Sequence, residues 1–304
     1  MKELKHLIYF ESLLEDTNNE LVRKAESEGD LALGYTCFHA PEVLMNLGNC
    51  FSVRLRAPHT NSMELATYYM ANNSCEFARA LLERALEGNY AFLHAMIGVD
   101  VCEANNRAIE NMEIMHMQGE DKDKFFYCNL DIPYSDDEDC VEHVREQVSR
   151  KILKPLHENY GIDTSDDAIR AAVSEHNEVC RILTEIGELR KLDIPPITGY
   201  EYAVLVLVSY TCPKRLILPY LRETLEEIKS RKTDAEKDYR VRVVVVGSEI
   251  DDPQLIKLIE GCGALVVADR YCYGSFPGRQ EIILSDTGLI HKYVKVKLLS
   301  ISCS

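Results

Sequence analysis

The sequence predicts an α/β protein of two Rossmann-like domains, each a doubly wound, mainly parallel sheet, joined by a helical segment. Three observations predict it. Residues 31–55 read as strand, helix, strand, the opening of a parallel α/β unit. Residues 240–268 repeat that order behind a run of valines. Between them, 141–192 carries long helical patterns, closed by Asp193-Ile194-Pro195-Pro196. The domains expected are 1–135 (a helix and a first α/β domain), 136–197 (a helical connector) and 198–304 (a second, incomplete α/β domain).

The elements follow in order. Residues 2–28 read as one charged amphipathic helix with Leu4, Leu7, Ile8, Leu13, Leu14, Leu21 and Val22 inward, stopped by Gly29. Leu31 to Phe38 is a short strand, and Pro41-Glu42 suits the first turn of a helix that ends at Gly48. Cys50 to Leu55 alternates as a strand. Ser74 can cap a helix whose apolar stripe is Phe77, Ala80, Leu81 and Ala85. Phe92 to Val99 is extended, Glu103 to Met112 helical, and Lys124 to Asp131 extended again. The acidic run at 136–139 suits a helix start or a solvated loop better than a cation site. Val141 to Tyr160, interrupted at Pro155, and Ser165 to Leu192 are helices. Periodicity does not decide between helix and strand for Glu201 to Tyr210. Leu216 to Lys229 is helical, Arg240 to Val246 a buried strand, and Asp252-Pro253 opens a helix before the strand Ala264 to Ala268. Tyr293 to Ser304 reads as a final strand.

Bulk properties exclude several classes. A net charge of −16 argues against a nucleic-acid partner, and no long basic run suits a membrane surface. No stretch reaches bilayer length, and Glu11, Glu15 and Asp16 follow too soon for a signal peptide. Eleven scattered cysteines, an odd number, argue for a cytoplasmic chain with reduced thiols. That leaves metal or cluster binding open.

Two of those cysteines stand out. Cys75, in Asn-Asn-Ser-Cys-Glu-Phe-Ala-Arg (72–79), and Cys102, in Gly-Val-Asp-Val-Cys-Glu-Ala-Asn-Asn-Arg (98–107), each follow a break and open a helix. A helix N-terminus lowers a thiol's pKa and favours the thiolate, the form that binds metal. The competing reading of each is a small buried residue. Arg54, Arg56 and His59 lie at the end of a strand, where open α/β sheets bind ligands, and suit an anionic group. Surface ion pairs are the alternative. A Gly- and aromatic-rich loop, Arg-Tyr-Cys-Tyr-Gly-Ser-Phe-Pro-Gly-Arg (270–279), is a second candidate site. Gly247-Ser248 alone is no dinucleotide fingerprint.

The ordered set of segments resembles the subunits of 2-hydroxyacyl-CoA dehydratases and benzoyl-CoA reductases, the 2-hydroxyglutaryl-CoA dehydratase D-component type. The segments are Gly34–Gly48 with Pro41-Glu42, the Cys75 helix, Gly88 and the Cys102 segment, and Tyr127–Pro133. They continue with Asn177–Arg190, Pro195-Pro196-Ile197-Thr198-Gly199, Arg242–Gly247, Glu260–Asp269 and Cys272-Tyr273-Gly274. The resemblance implies an iron–sulfur subunit that removes water from an (R)-2-hydroxyacyl-CoA through a ketyl radical, after ATP-driven one-electron reduction. It implies a [4Fe-4S] cluster on three cysteines, two of which match Cys75 and Cys102. It implies a homologous partner subunit, an ATP-dependent iron–sulfur activator and an acyl-CoA substrate. The family's third cysteine sits in a Lys-Phe-Cys-Asp-like segment that Cys303 does not match, so the resemblance implies a C-terminally truncated chain or completion by Cys37 or Cys272. By position, Arg54 and Arg56 are candidates for substrate binding, and Glu42 and His59 for proton movement. Two other readings remain open: a double-cubane-cluster or benzoyl-CoA reductase-like ATP-dependent reductase, and an inactive scaffold without its cluster.

Overall fold

A computed structural model describes residues 2–117, 124–135, 137–233, 239–247, 249–275 and 281–283. The final strand expected at Tyr293 to Ser304, Cys303 with it, lies outside the described residues, as do Ser248 and 276–279 of the aromatic loop.

The N-terminal stretch is two helices, α1 (Leu7–Leu14) and α2 (Glu20–Ser27), not one. Asn19 breaks the pattern: its side chain accepts hydrogen bonds from the Leu21 and Val22 backbone N–H groups and caps α2. Ile8, expected inward, is 67% exposed, because α1 buries Leu7, Phe10, Leu13 and Leu14 on its opposite side. Strand β1 (Leu31–Tyr35) leads to a 3-10 turn over Glu42–Asn46 in place of the expected α-helix, and β2 (Cys50–Arg54) follows. Helix α3 (Glu76–Leu86) is capped by Cys75 itself, with no side-chain hydrogen bond, rather than by Ser74. Next come β3 (Ala95–Asp100), α4 (Glu103–Met117) and β4 (Phe126–Asp131).

The stretch expected to connect the two sheets is helical. It comprises α5 (Glu138–Val148, capped by Asp137), a π turn at Ser149–Leu153, α6 (Lys154–Tyr160) and α7 (Asp166–Leu189). Pro155 sits in the first turn of α6, directly after the π turn. The undecided apolar stretch is a helix, α8 (Gly199–Thr211), with every residue buried. A helix apolar all round shows no period, which is why the pattern was silent. Thr198 and Glu201 close a capping box at its start. Then follow α9 (Lys214–Ser230), β5 (Val241–Val246), α10 (Gln254–Gly261) and β6 (Ala264–Arg270).

The first sheet is parallel, in the order β2-β1-β3-β4, and the second is the parallel pair β5-β6. One apolar cluster packs α3 and α4 on one face of the first sheet, and another packs α5 and part of α7 on the opposite face. A third joins α1, the later part of α7, α8 and α9 to the second sheet. Thus α1, although first in the chain, packs against α8. Strand β5 is not buried as expected: Val241, Val244 and Val246 are exposed, Val246 by 70%. Its valines reflect strand propensity more than burial.

Candidate functional site

Parallel strands force each intervening helix to run back from their carboxyl edge. Helices α3 and α4 therefore both begin at that edge, and they pack against each other on one face. Cys75 and Cys102 stand at two neighbouring helix N-termini, and both are exposed. Axes of packed helices lie about 8–10 Å apart. Cys37 follows β1 and Arg54 ends β2, at the same edge, since Tyr35 pairs in register with Arg54 on one side and Ile97 on the other.

The second unit reaches this edge through residues 271–275. The Arg54 guanidinium is fully buried; Nε donates to the Thr36 carbonyl at 3.0 Å and Nη1 to the Cys272 carbonyl at 2.6 Å. It lies 3.8 Å from the Tyr273 ring centroid and 4.9 Å from that of Tyr210. The Tyr273 hydroxyl donates to the Leu55 carbonyl, and its ring meets Phe77 of α3 edge-on at 5.7 Å. The loop carrying Cys272 is thus tied to the start of the Cys75 helix. Burial and neighbouring Glu249 push the Cys272 thiol up to about 12, and Cys37 lies near enough to add to that shift. Burial also raises the Glu249 carboxyl, with Arg54 opposing. Below this loop, Asp269 pairs with Arg190 at 2.7 Å and accepts from the Ser275 backbone N–H and hydroxyl at 2.6 and 2.8 Å. A side chain at Gly274 could not fit, because its Cβ would fall 2.3 Å from an Asp269 oxygen.

The other candidates fall elsewhere. Arg56 is buried, donating to the Asp251 carbonyl at 2.7 Å and the Leu14 carbonyl at 3.0 Å. It ties α1 to the second unit. Glu42 is buried and pairs with Lys214 Nζ at 2.6 Å, while Lys214 also donates to the Ser52 hydroxyl at 3.2 Å. His59, with φ at 56°, is exposed and pairs with Glu15 at 2.7 Å. Lys214, Glu249 and the Arg190–Asp269 pair were not found from sequence. Their partners lie far along the chain, and local pattern carries no signal of that.

Among the described residues, no group of three or more His, Cys, Asp or Glu side chains is gathered to hold a metal ion. Burial pushes Cys50, Cys128 and Cys212 up to about 12, which disfavours them as thiolate ligands. Cys75 and Cys102 are exposed thiols at adjacent helix N-termini, and Cys37 and Cys272 lie at the same sheet edge, Cys272 raised to about 12 like the buried thiols. A cavity of about 520 Å³ lined by Leu7, Ile197, Tyr200, Lys257 and Leu265 lies at the opposite end of β6 from Cys272. Strand rise puts it roughly 20 Å away. Its Lys257 rests over the Tyr200 ring, whose hydroxyl donates to Glu11.

The model of the family described as 2-hydroxyglutaryl-CoA dehydratase, D-component, matches residues 37–304. The chain is 19% identical to the (R)-phenyllactyl-CoA dehydratase beta subunit of Clostridium sporogenes, over 88% of this chain and 69% of that protein. It is 20% identical to YjiM of Escherichia coli (strain K12), which carries a dehydratase-subunit name, over 93% and 73%. It is 23% identical to one of the subunits of benzoyl-CoA reductase from Thauera aromatica, over 65% and 50%. No helix among the described residues is long and apolar enough to cross a membrane.

Proposed function

Because the chain belongs to the 2-hydroxyglutaryl-CoA dehydratase D-component family, we propose that it is the iron–sulfur subunit of an enzyme that dehydrates an (R)-2-hydroxyacyl-CoA. The observation that carries this reading is the placement of Cys75 and Cys102, exposed at the starts of two packed helices on one sheet edge. Cys75 and Cys102 would hold a [4Fe-4S] cluster, with Cys37 or Cys272 as the further thiol. When bound, the cluster supplies single-electron transfer at low potential.

This chain's own residues set the surroundings. The two helix N-termini would turn their free backbone N–H groups toward the cysteine sulfurs of a bound cluster. Arg54 holds the Cys272 backbone in place, and Tyr273 fills the space between Phe77 and Tyr210. That wall limits water behind the cysteines. Arg54 and Arg56 are buried and donate to backbone carbonyls, so an acyl-CoA would be met by other groups at the exposed mouth.

The relatives carry subunit names, which supports a homologous partner subunit. An ATP-dependent iron–sulfur activator would supply the electron, and the site of action would be the cytoplasm. The benzoyl-CoA reductase relative supports a second reading, an ATP-dependent reductase.

The test is iron and acid-labile sulfide per chain after preparation without oxygen. About four of each is expected, with the visible absorption lost in Cys75→Ala and in Cys102→Ala. Absence of iron in folded parent protein, or unchanged absorption in either variant, overturns the cluster assignment. About eight of each favours a double-cubane reductase.

A further inference from the structure

We propose that Asn105 is a positioning residue for the cluster of the reading above: its side-chain amide donates an N–H to the Cys102 sulfur when the cluster is bound. The inference rests on that reading and deepens it. Cys102 stands at the N-cap of α4, because its carbonyl accepts the first helical bond, from the Asn106 backbone N–H at 2.8 Å, and the helix runs on from Glu103. Asn105 is therefore the third residue of the helix. In a capping box the side chain at that position reaches back to the N-cap residue. Helical side chains lean towards the N-terminus, so residues three apart stack on one face with Cβ atoms about 5–6 Å apart. That spacing brings an amide on one and a sulfur on the other within reach of a hydrogen bond.

A missing partner singles Asn105 out. The residue is only 9% exposed, and its Nδ2 is buried without a hydrogen-bond partner among the described residues. A buried donor left unpaired costs free energy, and native structures keep few of them. Glu or Gln at this position would close a capping box on the N-cap backbone. Asn is one methylene shorter than Gln, so its N–H groups stay available to another acceptor. A sulfur of Cys102 held in a cluster supplies that acceptor.

The neighbouring polar residues are placed differently. Asn106, one residue on, donates its Nδ2 to the Asp100 carboxylate, so that amide is already used at the end of β3. The start of α3 offers no counterpart: Cys75 is its N-cap, and the third residue of that helix is Ala78. Asn111 of α4 also has a buried, unpartnered Nδ2, but nine residues of helix put it about 13 Å further along the axis from Cys102. It serves as the control.

The consequence is electrostatic. An N–H aimed at a ligating sulfur places partial positive charge beside it. That charge favours the reduced, more anionic cluster over the oxidised one, so the donor raises the reduction potential. Removing the donor should therefore make the cluster harder to reduce.

The experiment compares the whole chain, loaded with iron and sulfide without oxygen, as parent, Asn105→Leu and Asn111→Leu. Leu keeps a side chain of similar size and removes the donor. In a redox titration read by electron paramagnetic resonance, Asn105→Leu should lower the midpoint potential by about 59 mV, about tenfold in the reduced-to-oxidised ratio. Asn111→Leu should keep the parent potential. A second measurement needs only the parent, so it stands even where Asn105→Leu fails to fold or to load. With asparagine labelled with nitrogen-15 in its side-chain amide alone, pulsed resonance on the reduced cluster should detect a nitrogen-15 coupling, and a loaded Asn105→Leu should lack it. A loaded parent without that coupling overturns the role of Asn105 and leaves the cluster reading standing. So does a loaded Asn105→Leu at the parent potential, or an equal shift in Asn111→Leu. Folded parent that takes up no iron overturns the cluster reading, and the role of Asn105 with it.

Discussion

Arg54 and Cys272 lie 218 residues apart, yet Arg54 Nη1 donates to the Cys272 carbonyl at 2.6 Å. This bond links the carboxyl edge of the first sheet to the loop that follows β6. The guanidinium is fully buried and rests against the Tyr273 ring. Arg54→Met should destabilise the chain by about 3–5 kcal/mol, from two charged hydrogen bonds and desolvated cation–π contacts with two rings. Arg54→Lys should recover little, because one ammonium cannot span both the Thr36 and Cys272 carbonyls. Denaturant unfolding checks both, and a Met variant as stable as the parent would dismiss the latch.

The Glu42–Lys214 pair gives a second prediction. Both partners are buried, so removing one strands a charge, and Lys214→Met should cost about 3–5 kcal/mol. The double variant Glu42→Gln with Lys214→Met should be more stable than Lys214→Met alone. A double-mutant cycle by chemical denaturation measures this. Additive losses would mean that the two side chains do not act as a pair.

Thiol reactivity should separate the cysteines by place. In folded, cluster-free protein near neutral pH, an alkylating reagent should modify Cys75, Cys102 and Cys262 first, since these three are exposed. Cys50, Cys128, Cys180 and Cys212 are buried and should react only after denaturation. Loading with iron and sulfide should protect Cys75 and Cys102 and leave Cys262 open. Peptide mass spectrometry reads the order, and early modification of Cys128 or Cys212 would contradict the packing.

Glu249 predicts a pH dependence. Its carboxyl is raised above the ordinary 4.5, with burial the largest cause. The folded state therefore binds this proton more tightly than the unfolded state, and the group's contribution to stability is lost as pH rises from about 4.5 through the raised value. Glu249→Gln mimics the protonated form. Its stability relative to the parent should be higher at pH 8 than at pH 4.5. An advantage constant across that range would count against the shift.

The sequence by itself determined the α/β class, most element positions and the two cysteines that open helices. Those signals are local: a run of valines, a glycine stop, a break before an amphipathic stripe. It also carried the family, through an ordered set of segments rather than any single motif. Phase and burial were less legible. Asn19 splits what reads as one helix, since a capping side chain outweighs a continuous apolar stripe. Helix α8 has no periodicity because it has no polar face.

Only the tertiary structure decided what the charged candidates do. Arg54, Arg56 and Glu42 have the residue types and positions of ligand-binding groups. Folding turns them inward onto Cys272, Asp251 and Lys214, between 172 and 218 residues away. The same folding sets Gln147 against the free edge of β4 and brings His143 to 3.1 Å from Asp131. Local sequence specifies which backbone each residue helps to form. Which side chain meets a buried charge is set by the packing of distant elements, since a polar group without water must find its partner wherever the fold brings one.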